Sequence, residues 1–326
     1  MRVLVTGGAG YIGSVVSEEL LAAGHQVVVY DDLSRGHRAA VPPRAQLVVA
    51  DLADRATLEA TLRSAHSEAV LHFAALIEAG ESMRAPERFF RVNVAGSLTL
   101  LEAMLATGVG QLVFSSTAAL YGDPEELPLR ESSPLRPTSP YGTSKRMVEE
   151  MLSWWHRVHG LRYAALRYFN AAGATPERGE DHRPESHLIP NLLEVARGGR
   201  THATIFGTDY PTADGTCVRD YVHVSDLACA HVAALEALAG GDGRLIYNLG
   251  SGTGFTVRQV IDEVRRVTGH AIPVVEAARR PGDPAVLVAS AEAAQRELGW
   301  RPQRSSLEAI VASAWAWRLA HPDGYR

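Results

Sequence analysis

The sequence predicts an α/β protein built on a doubly wound parallel sheet, with a smaller C-terminal α/β lobe. Three observations predict it. Short β-branched runs alternate with longer helical stretches through the first half of the chain. A glycine-rich turn follows the first of those runs. Past about Asn170 the alternation gives way to turn-rich segments and a new set of helices. Strands alternating with helices imply right-handed βαβ crossovers and a parallel sheet.

The expected strands cover residues 3–6, 27–30, 47–50, 69–73, 112–115 and 163–167. Nearly continuous apolar runs such as RVLVT suit a sheet covered on both faces. Helical patterns fall between them at 12–23, 55–64, 86–107 and 140–159. In the second half, 171–184 is rich in Gly, Pro, Arg and Glu and reads as a loop, and 207–216 is again turn-rich. Helices are expected at 188–197, 224–238, 257–268 and 307–319, with a strand at 245–249. The chain therefore divides into residues 1–170, to which 221–249 returns, and a lobe made of 171–220 and 250–326. The cleft between them is the expected site.

Composition narrows the function. Hydrophobic residues make up 46% of the 326, enough for a full core, and the mean hydropathy of -0.06 is that of a soluble globular chain. A net charge of -5 disfavours nucleic acid as a partner. Cys217 and Cys229 are the only cysteines, which excludes a disulfide scaffold. No contiguous apolar run approaches the ~20 residues of a membrane span. The opening MRVLVTGG has no signal-peptide pattern. The expectation is a cytoplasmic protein without a membrane partner and without a metal.

The first turn carries chemistry. In VLVTGGAGYIG, Gly8, Gly10 and Gly13 form a G-x-G-x-x-G pattern, and Gly7, Gly10 and Gly13 give a second, three-residue spacing. Glycines let the backbone turn tightly and approach a pyrophosphate, while the following helix aims its free N–H groups at it. The strand–loop–helix context makes this a dinucleotide-binding Rossmann fingerprint. Asp31 stands at the tip of the second strand, near the ~20-residue offset of a carboxylate that accepts from ribose hydroxyls. A carboxylate there repels a 2′-phosphate, so NAD is favoured over NADP. The alternative for Asp31 and Asp32 is a pair of solvated loop acids.

A second constellation is Y-G-T-S-K, which sets Tyr141 and Lys145 four residues apart on one helix face. An ordinary tyrosine, with pKa near ~10, is too weakly acidic to serve as a base at neutral pH. A neighbouring ammonium lowers that value and makes the phenolate a base for an alcohol or sugar hydroxyl. Lys145 is also the only lysine among 32 lysines and arginines. Ammonium and guanidinium are not interchangeable, so the lone lysine suggests a slot where arginine will not serve; the alternative is drift, one lysine having to sit somewhere. Upstream, Thr117 in FSSTAALYG can hydrogen-bond the reacting oxygen; taken alone, it reads better as a strand-end hydroxyl bonded to local backbone.

With these segments in view, the chain resembles the extended short-chain dehydrogenases/reductases and, among them, the UDP-glucose 4-epimerases. The likeness runs from Met1 to about Tyr325, through TGGAGYIG, HFAAL, NVAGSL, FSSTAALYGD, SPYGTSK, LRYFNAAGA, IFGTDYPTADGTCVRDYVHVSDLA, YNLGSG and RRPGD. It implies that Tyr141, with Thr117 and Lys145, takes a proton from the sugar 4′-hydroxyl as C4′ gives a hydride to NAD. The 4-keto sugar turns over and the hydride returns to its other face. The cofactor pocket implied by the resemblance takes in Gly7, Gly10, Tyr11, Ile12 and Gly13, then Asp31, Asp32, Leu33, Ser34 and Gly36. It continues through Asp51, Leu52, Phe73, Ala74, Ala75, Asn93 and Phe169, together with Tyr141 and Lys145. Substrate contacts fall on Thr117, Tyr141, Asn170, Leu188, Thr204, Ile205 and Phe206. Arg219 and Arg280 hold the diphosphate and Asp283 the nucleotide ribose. Arginine suits a diphosphate through its bidentate fork, whereas Arg219 read alone suits an ion pair with Asp220 or Asp226.

Related dehydratases and decarboxylases carry an acid just after the threonine, where this chain has Ala118 and Ala119, so elimination is disfavoured. Ile77 replaces a lysine that many members place beside the cofactor. Leu287 matches the position that limits sugar size, where an aromatic excludes an N-acetyl group and a small residue admits it. The readings left open are UDP-glucose/UDP-galactose epimerisation, epimerisation of UDP-GlcNAc, UDP-xylose or UDP-glucuronate, net sugar-nucleotide oxidation, and a catalytically silent NAD-binding protein. The resemblance also implies a homodimer through the helices at 86–107 and 140–159.

Overall fold

A computed structural model describes every residue except Asp242 and Pro281. Its thirteen described strands are β1 Arg2–Thr6, β2 Gln26–Asp31, β3 Gln46–Val49, β4 Ala69–His72, β5 Gln111–Thr117, β6 Arg162–Tyr168, β7 Asn170–Ala172, β8 Ala203–Phe206, β9 Val218–His223, β10 Arg244–Leu249, β11 Gly254–Thr256, β12 Val274–Ala277 and β13 Val286–Leu287. The helices are α1 Tyr11–Ala22, α2 Arg55–Ser64, α3 Ala79–Ser82, α4 Pro86–Phe89, α5 Gly96–Thr107, α6 Pro140–His159, α7 Leu188–Ala196, α8 Val224–Gly240, α9 Val257–Thr268, α10 Glu292–Glu297 and α11 Leu307–Ala320.

Seven strands form one parallel sheet in the order β10-β6-β5-β4-β1-β2-β3. The chain winds outward from β1 in both directions, so the strand order reverses between β1 and β4. A crevice opens there at the carboxyl ends of the strands, where open α/β sheets bind ligands. One face is covered by α1 and α8, through Val15, Val16, Leu20, Leu227 and Leu235. The other is covered by α2, α5 and α6, through Leu58, Leu62, Leu100, Met104, Val148 and Leu152. A third core joins α7, α9 and α11 in the C-terminal part, around Leu192, Ile205, Val260, Val264 and Ile310. There β9 pairs with β7, β11 and β13, and β8 pairs with β12.

Three departures from expectation have physical causes. The helix expected over 86–107 is interrupted: Phe90–Ala95 forms a π-helical turn between α4 and α5. Such turns often mark functional positions, and this one carries Asn93. The 22-residue segment Pro86–Thr107 contains an 18-residue window with a mean hydropathy of 1.3, yet Leu100, Leu101, Ala103 and Met104 bury themselves against the sheet as a core helix. The loop expected over 171–184 begins with strand β7, whose residues pair with Tyr221–His223. The short strands β8, β11, β12 and β13 are too brief to show a period in the sequence.

Beneath β5 and β6 lies a buried ion pair. Arg167 donates to both oxygens of Glu149, at 2.9 and 2.6 Å, and its remaining donors reach Tyr121 and the Glu131 carbonyl. Both side chains are almost fully buried. Removing one partner leaves an uncompensated charge, so Arg167→Met is expected to cost about 3–5 kcal/mol in urea unfolding. The double variant with Glu149→Leu is expected to recover much of it, and a single variant within about 1 kcal/mol of the parent contradicts this account.

Candidate active site

The glycine turn closes because two positions admit no side chain. Gly7 has φ +69°, and a Cβ there meets Ala74 N at 2.5 Å. A Cβ on Gly13 meets Gly7 O at 2.3 Å. The turn thus presses α1 against β1 and β4, at the strand-order reversal. Gly10 caps α1 without a side chain. The first-turn N–H groups of Tyr11, Ile12 and Gly13 therefore have no capping oxygen, and suit an anionic phosphate.

Asp31 ends β2 nearly buried, with Oδ2 accepting from Ala9 N at 3.0 Å and Oδ1 from Leu33 N at 2.9 Å. Burial raises its pKa and the two backbone donors lower it. A carboxylate offers about four acceptor sites, so two remain for a ribose diol. Asp32 instead caps its own turn through Ser34, the behaviour of a loop acid. Asp51 likewise accepts from Ala53 N, while Leu52 packs beside Gly96. The fit to a dinucleotide is good: tight glycines, free helix N–H groups and an acid at the second strand's tip stand around one crevice.

A line of hydrogen bonds joins this crevice to the neighbouring helix. Thr6 Oγ1 and His72 Nδ1 are 2.6 Å apart, and His72 Nε2 and Ser97 Oγ 2.8 Å. Ser97 donates to Asn93 O at 2.5 Å. Asn93 Nδ2 donates to Ser144 Oγ at 3.0 Å, and Ser144 donates to Tyr141 O at 2.7 Å. Since the Ser97 hydroxyl proton is spent on Asn93 O, the His72 proton sits on Nε2 and its Nδ1 accepts from Thr6. Asn93 also grips Leu76 from both sides, accepting from its N and donating to its O. Burial, with Lys145 adding to it, pulls the His72 pKa to about 3.

Tyr141, Thr117 and Lys145 converge at the ends of β5 and α6. Ser139 caps α6, accepting from Gly142 N at 3.1 Å, and Pro140 pre-sets its first turn. Thr117 Oγ1 accepts from Ala119 N at 3.1 Å and hydrogen-bonds the Tyr141 hydroxyl. Lys145 is buried, donates to Ser115 O at 2.9 Å and lies 4.9 Å over the Phe114 ring. The expected lowering of the tyrosine pKa is not produced by these protein groups. Burial raises it, the Thr117 bond lowers it and Glu78 raises it. The reason is that the same burial pulls Lys145 down to about 7, so that its positive charge is only partly present at neutrality.

Across the cleft the expected substrate residues fall into two groups. Arg219 and Arg280 both face Asp283, at 3.5 and 3.0 Å, and Arg280 lies 4.9 Å over the Phe206 ring. The alternative pairs of Arg219 do not form. Asp220 is turned inward to Ser251, Gly252 and Ala289, and Asp226 to Gln303, Arg304 and Ser305. Thr204 and Ile205 precede Phe206 on β8. The second group takes in Asn170 and Leu188. Asn170 donates to Asp220 O, Phe169 N to Leu249 O, and Phe169 packs with Leu287, Ala118 and Tyr121. Leu188 opens α7. Phe73 stacks toward His231, with ring centroids 4.9 Å apart. Tyr11 turns its hydroxyl away from the crevice to Gly173 O at 2.6 Å, so only its backbone faces a phosphate. No acid follows Thr117: Ala118 and Ala119 begin a single 3-10 turn.

Comparison with known proteins decides the family. The model of the NAD dependent epimerase/dehydratase family matches residues 3–250. The chain belongs to that family. Within it, the chain is 51% identical to a UDP-glucose 4-epimerase of Streptococcus mutans, covering all of this chain and 99% of the relative. It is 52% identical to that of Streptomyces lividans, covering 99% and 98%. A crystal structure of the Brucella ovis UDP-glucose 4-epimerase in complex with NAD superimposes with a TM-score of 0.93 at 44% identity, covering 96% and 97% of the two chains. As in the rest of this NAD-dependent family, the cofactor is NAD.

The buried imidazoles make stability depend on pH. His72 is held at about 3, and burial holds His223 and His231 at about 4. All three lie below the unfolded value of 6.5. Their contribution is whole above that value and is lost as pH falls, because only the unfolded chain then gains protons. Each is expected to add a slope of about 1.4 kcal/mol per pH unit below pH ~6.5 in urea unfolding. A His72 ring that titrates near neutrality by NMR overturns this.

Proposed function

We infer that the chain interconverts UDP-glucose and UDP-galactose by inverting C4 of the hexose. The observation that carries this is the identity of about half to UDP-glucose 4-epimerases over the whole length of the chain, which holds both the Tyr141–Thr117–Lys145 cluster and the Arg219–Asp283–Arg280 cluster. Bound NAD supplies the hydride acceptor and then the donor at C4. Tyr141 takes the 4-hydroxyl proton and gives it back after the keto sugar has turned. Thr117 bonds the reacting oxygen and orients the phenol. Lys145 spends one of its three donors on Ser115 O, and the other two suit the cofactor's ribose diol. Asp31 takes the adenosine ribose, and the glycine turn with Tyr11, Ile12 and Gly13 holds the pyrophosphate.

The sugar nucleotide binds through residues of the second lobe. Arg219 and Arg280 exchange Asp283 for the diphosphate, whose bidentate geometry matches their forks. Asp283 is then free for the uridine ribose, with Phe206 beside it. Asn170, Leu188 and Thr204 complete the wall. The division into 1–170 with 221–249 for cofactor, and 171–220 with 250–326 for substrate, follows these roles. Without an acid beside Thr117, the keto sugar is returned rather than dehydrated.

Incubation with UDP-galactose is expected to yield UDP-glucose without net accumulation of NADH. No product from UDP-galactose, or stoichiometric NADH release, overturns the reading. Tyr141→Phe is expected to lower kcat by about 10²–10⁴-fold while NAD stays bound; near-normal turnover removes Tyr141 from its role.

We further propose a homodimer, in the cytoplasm, where free Cys217 and Cys229 keep their thiols. Support comes from α5 and α6, which expose Leu98, Leu105, Met147, Trp154 and Val158, with Trp154 60% and Val158 65% accessible. Exposed apolar side chains grouped on two neighbouring helices suit an interaction surface. Light scattering is expected to report twice the chain mass of 35.1 kDa, and Trp154→Glu with Val158→Glu to halve it. A parent protein that is monomeric contradicts the dimer.

A further inference from the structure

The segment leading into α7 gathers titratable side chains that the epimerisation does not use. It runs E-D-H-R-P-E-S-H from Glu180 to His187. Glu180, His182, Glu185 and His187 each offer one donor atom, and the four atoms lie within 4.8 Å of one another. Both imidazoles turn Nδ1 inward, to 3.0 Å (His182) and 2.6 Å (His187) from Glu180 Oε1. Glu185 closes the set, with Oε1 3.1 Å from His187 Nδ1 and Oε2 3.9 Å from His182 Nδ1. That Oε2 is buried and accepts no hydrogen bond.

We propose that Glu180, His182, Glu185 and His187 form a site for a divalent transition metal of the zinc class. Three arguments carry it. The first is charge. Two largely buried carboxylates stand together, and among the described residues neither pairs with an arginine or lysine. Protons taken up by the rings cancel that charge at the cost of two imidazolium rings 5.3 Å apart. One divalent cation cancels it with both rings neutral. The second is ligand type. Two imidazole nitrogens with two carboxylate oxygens suit zinc and its neighbours, whereas calcium and magnesium prefer oxygen throughout. The third is size. Zinc–donor distances of ~2.0–2.2 Å place the corners of a tetrahedron roughly 3.3–3.6 Å apart. The four close pairs here span 2.6 to 3.9 Å, so small side-chain movements complete the shell.

The position indicates what the ion does. Tyr11, the first residue of α1, packs edge-on to His182 with ring centroids 6.4 Å apart. His187 is the residue before α7. A metal here pins a segment without regular structure beneath the glycine turn and fixes the start of α7, on which Leu188 stands. It ties the start of α1 to the start of α7.

The test uses the full chain, stripped with a chelator and then titrated with zinc. Binding is expected to saturate at one ion per chain and to raise the melting temperature. X-ray absorption at the zinc edge is expected to show nitrogen and oxygen ligands without sulfur. In His182→Ala/Glu185→Gln, affinity is expected to fall by more than the about 10–100-fold that follows loss of an outer partner, with the far-UV circular dichroism unchanged. Absence of stoichiometric zinc, sulfur in the shell, or undiminished binding in the variant overturns the site. If the variant fails to fold, the absorption spectrum and stoichiometry of the parent protein still decide.

Discussion

The architecture hangs on the close approach at the reversal of strand order. Gly7 lies against the Ala74 backbone, and Gly13 against Gly7 O, so that β1, β4 and the start of α1 meet with no side chain between them. From this point the Thr6–His72–Ser97 bonds run inward, and Asn93 and Ser144 carry them to the Tyr141 carbonyl. The glycine turn and α6 are therefore held in one frame. A reaction that gives and takes back a hydride at the same carbon needs that fixed spacing, since both half-reactions must find the same donor and acceptor.

The neutrality of His72 is a condition of that frame. An imidazolium there would lose the acceptor that Thr6 uses, and would stand buried beside Lys145. Burial sets the chemistry of the catalytic pair as well. It raises Tyr141 and lowers Lys145, which moves their pKa values apart and favours the uncharged form of each.

Asp220 shows how the second lobe is built around the same economy of buried charge. Its carboxylate is spent on Ser251, Gly252 and Ala289, which holds β9 in place and leaves the preceding residue, Arg219, aimed at Asp283. The two arginines share a single acid. The cleft wall therefore carries net positive charge, matched to an anionic ligand, although the whole chain is acidic.

Most of the catalytic half was legible in the chain itself. The glycine spacing, Asp31, the Tyr141–Lys145 interval and the strand–helix alternation are local, periodic signals, and backbone geometry translates them directly into one crevice. The lone lysine stood out in the sequence, and its side chain is buried over Phe114. Other features depended on contacts distant in sequence. The π-helical turn at Asn93 is chosen by what Asn93 bonds at Leu76 and Ser144, not by its own composition. Arg219 turned to Asp283, 64 residues away, rather than to its neighbours, because Asp220 was already committed. The Glu180–His187 cluster sat in a stretch that reads as a polar loop and carried no expectation of a metal. Periodicity reports which face of an element is buried. Only the packed chain decides which charges share that burial, because the cost of an unpaired charge is settled between residues that the sequence keeps apart.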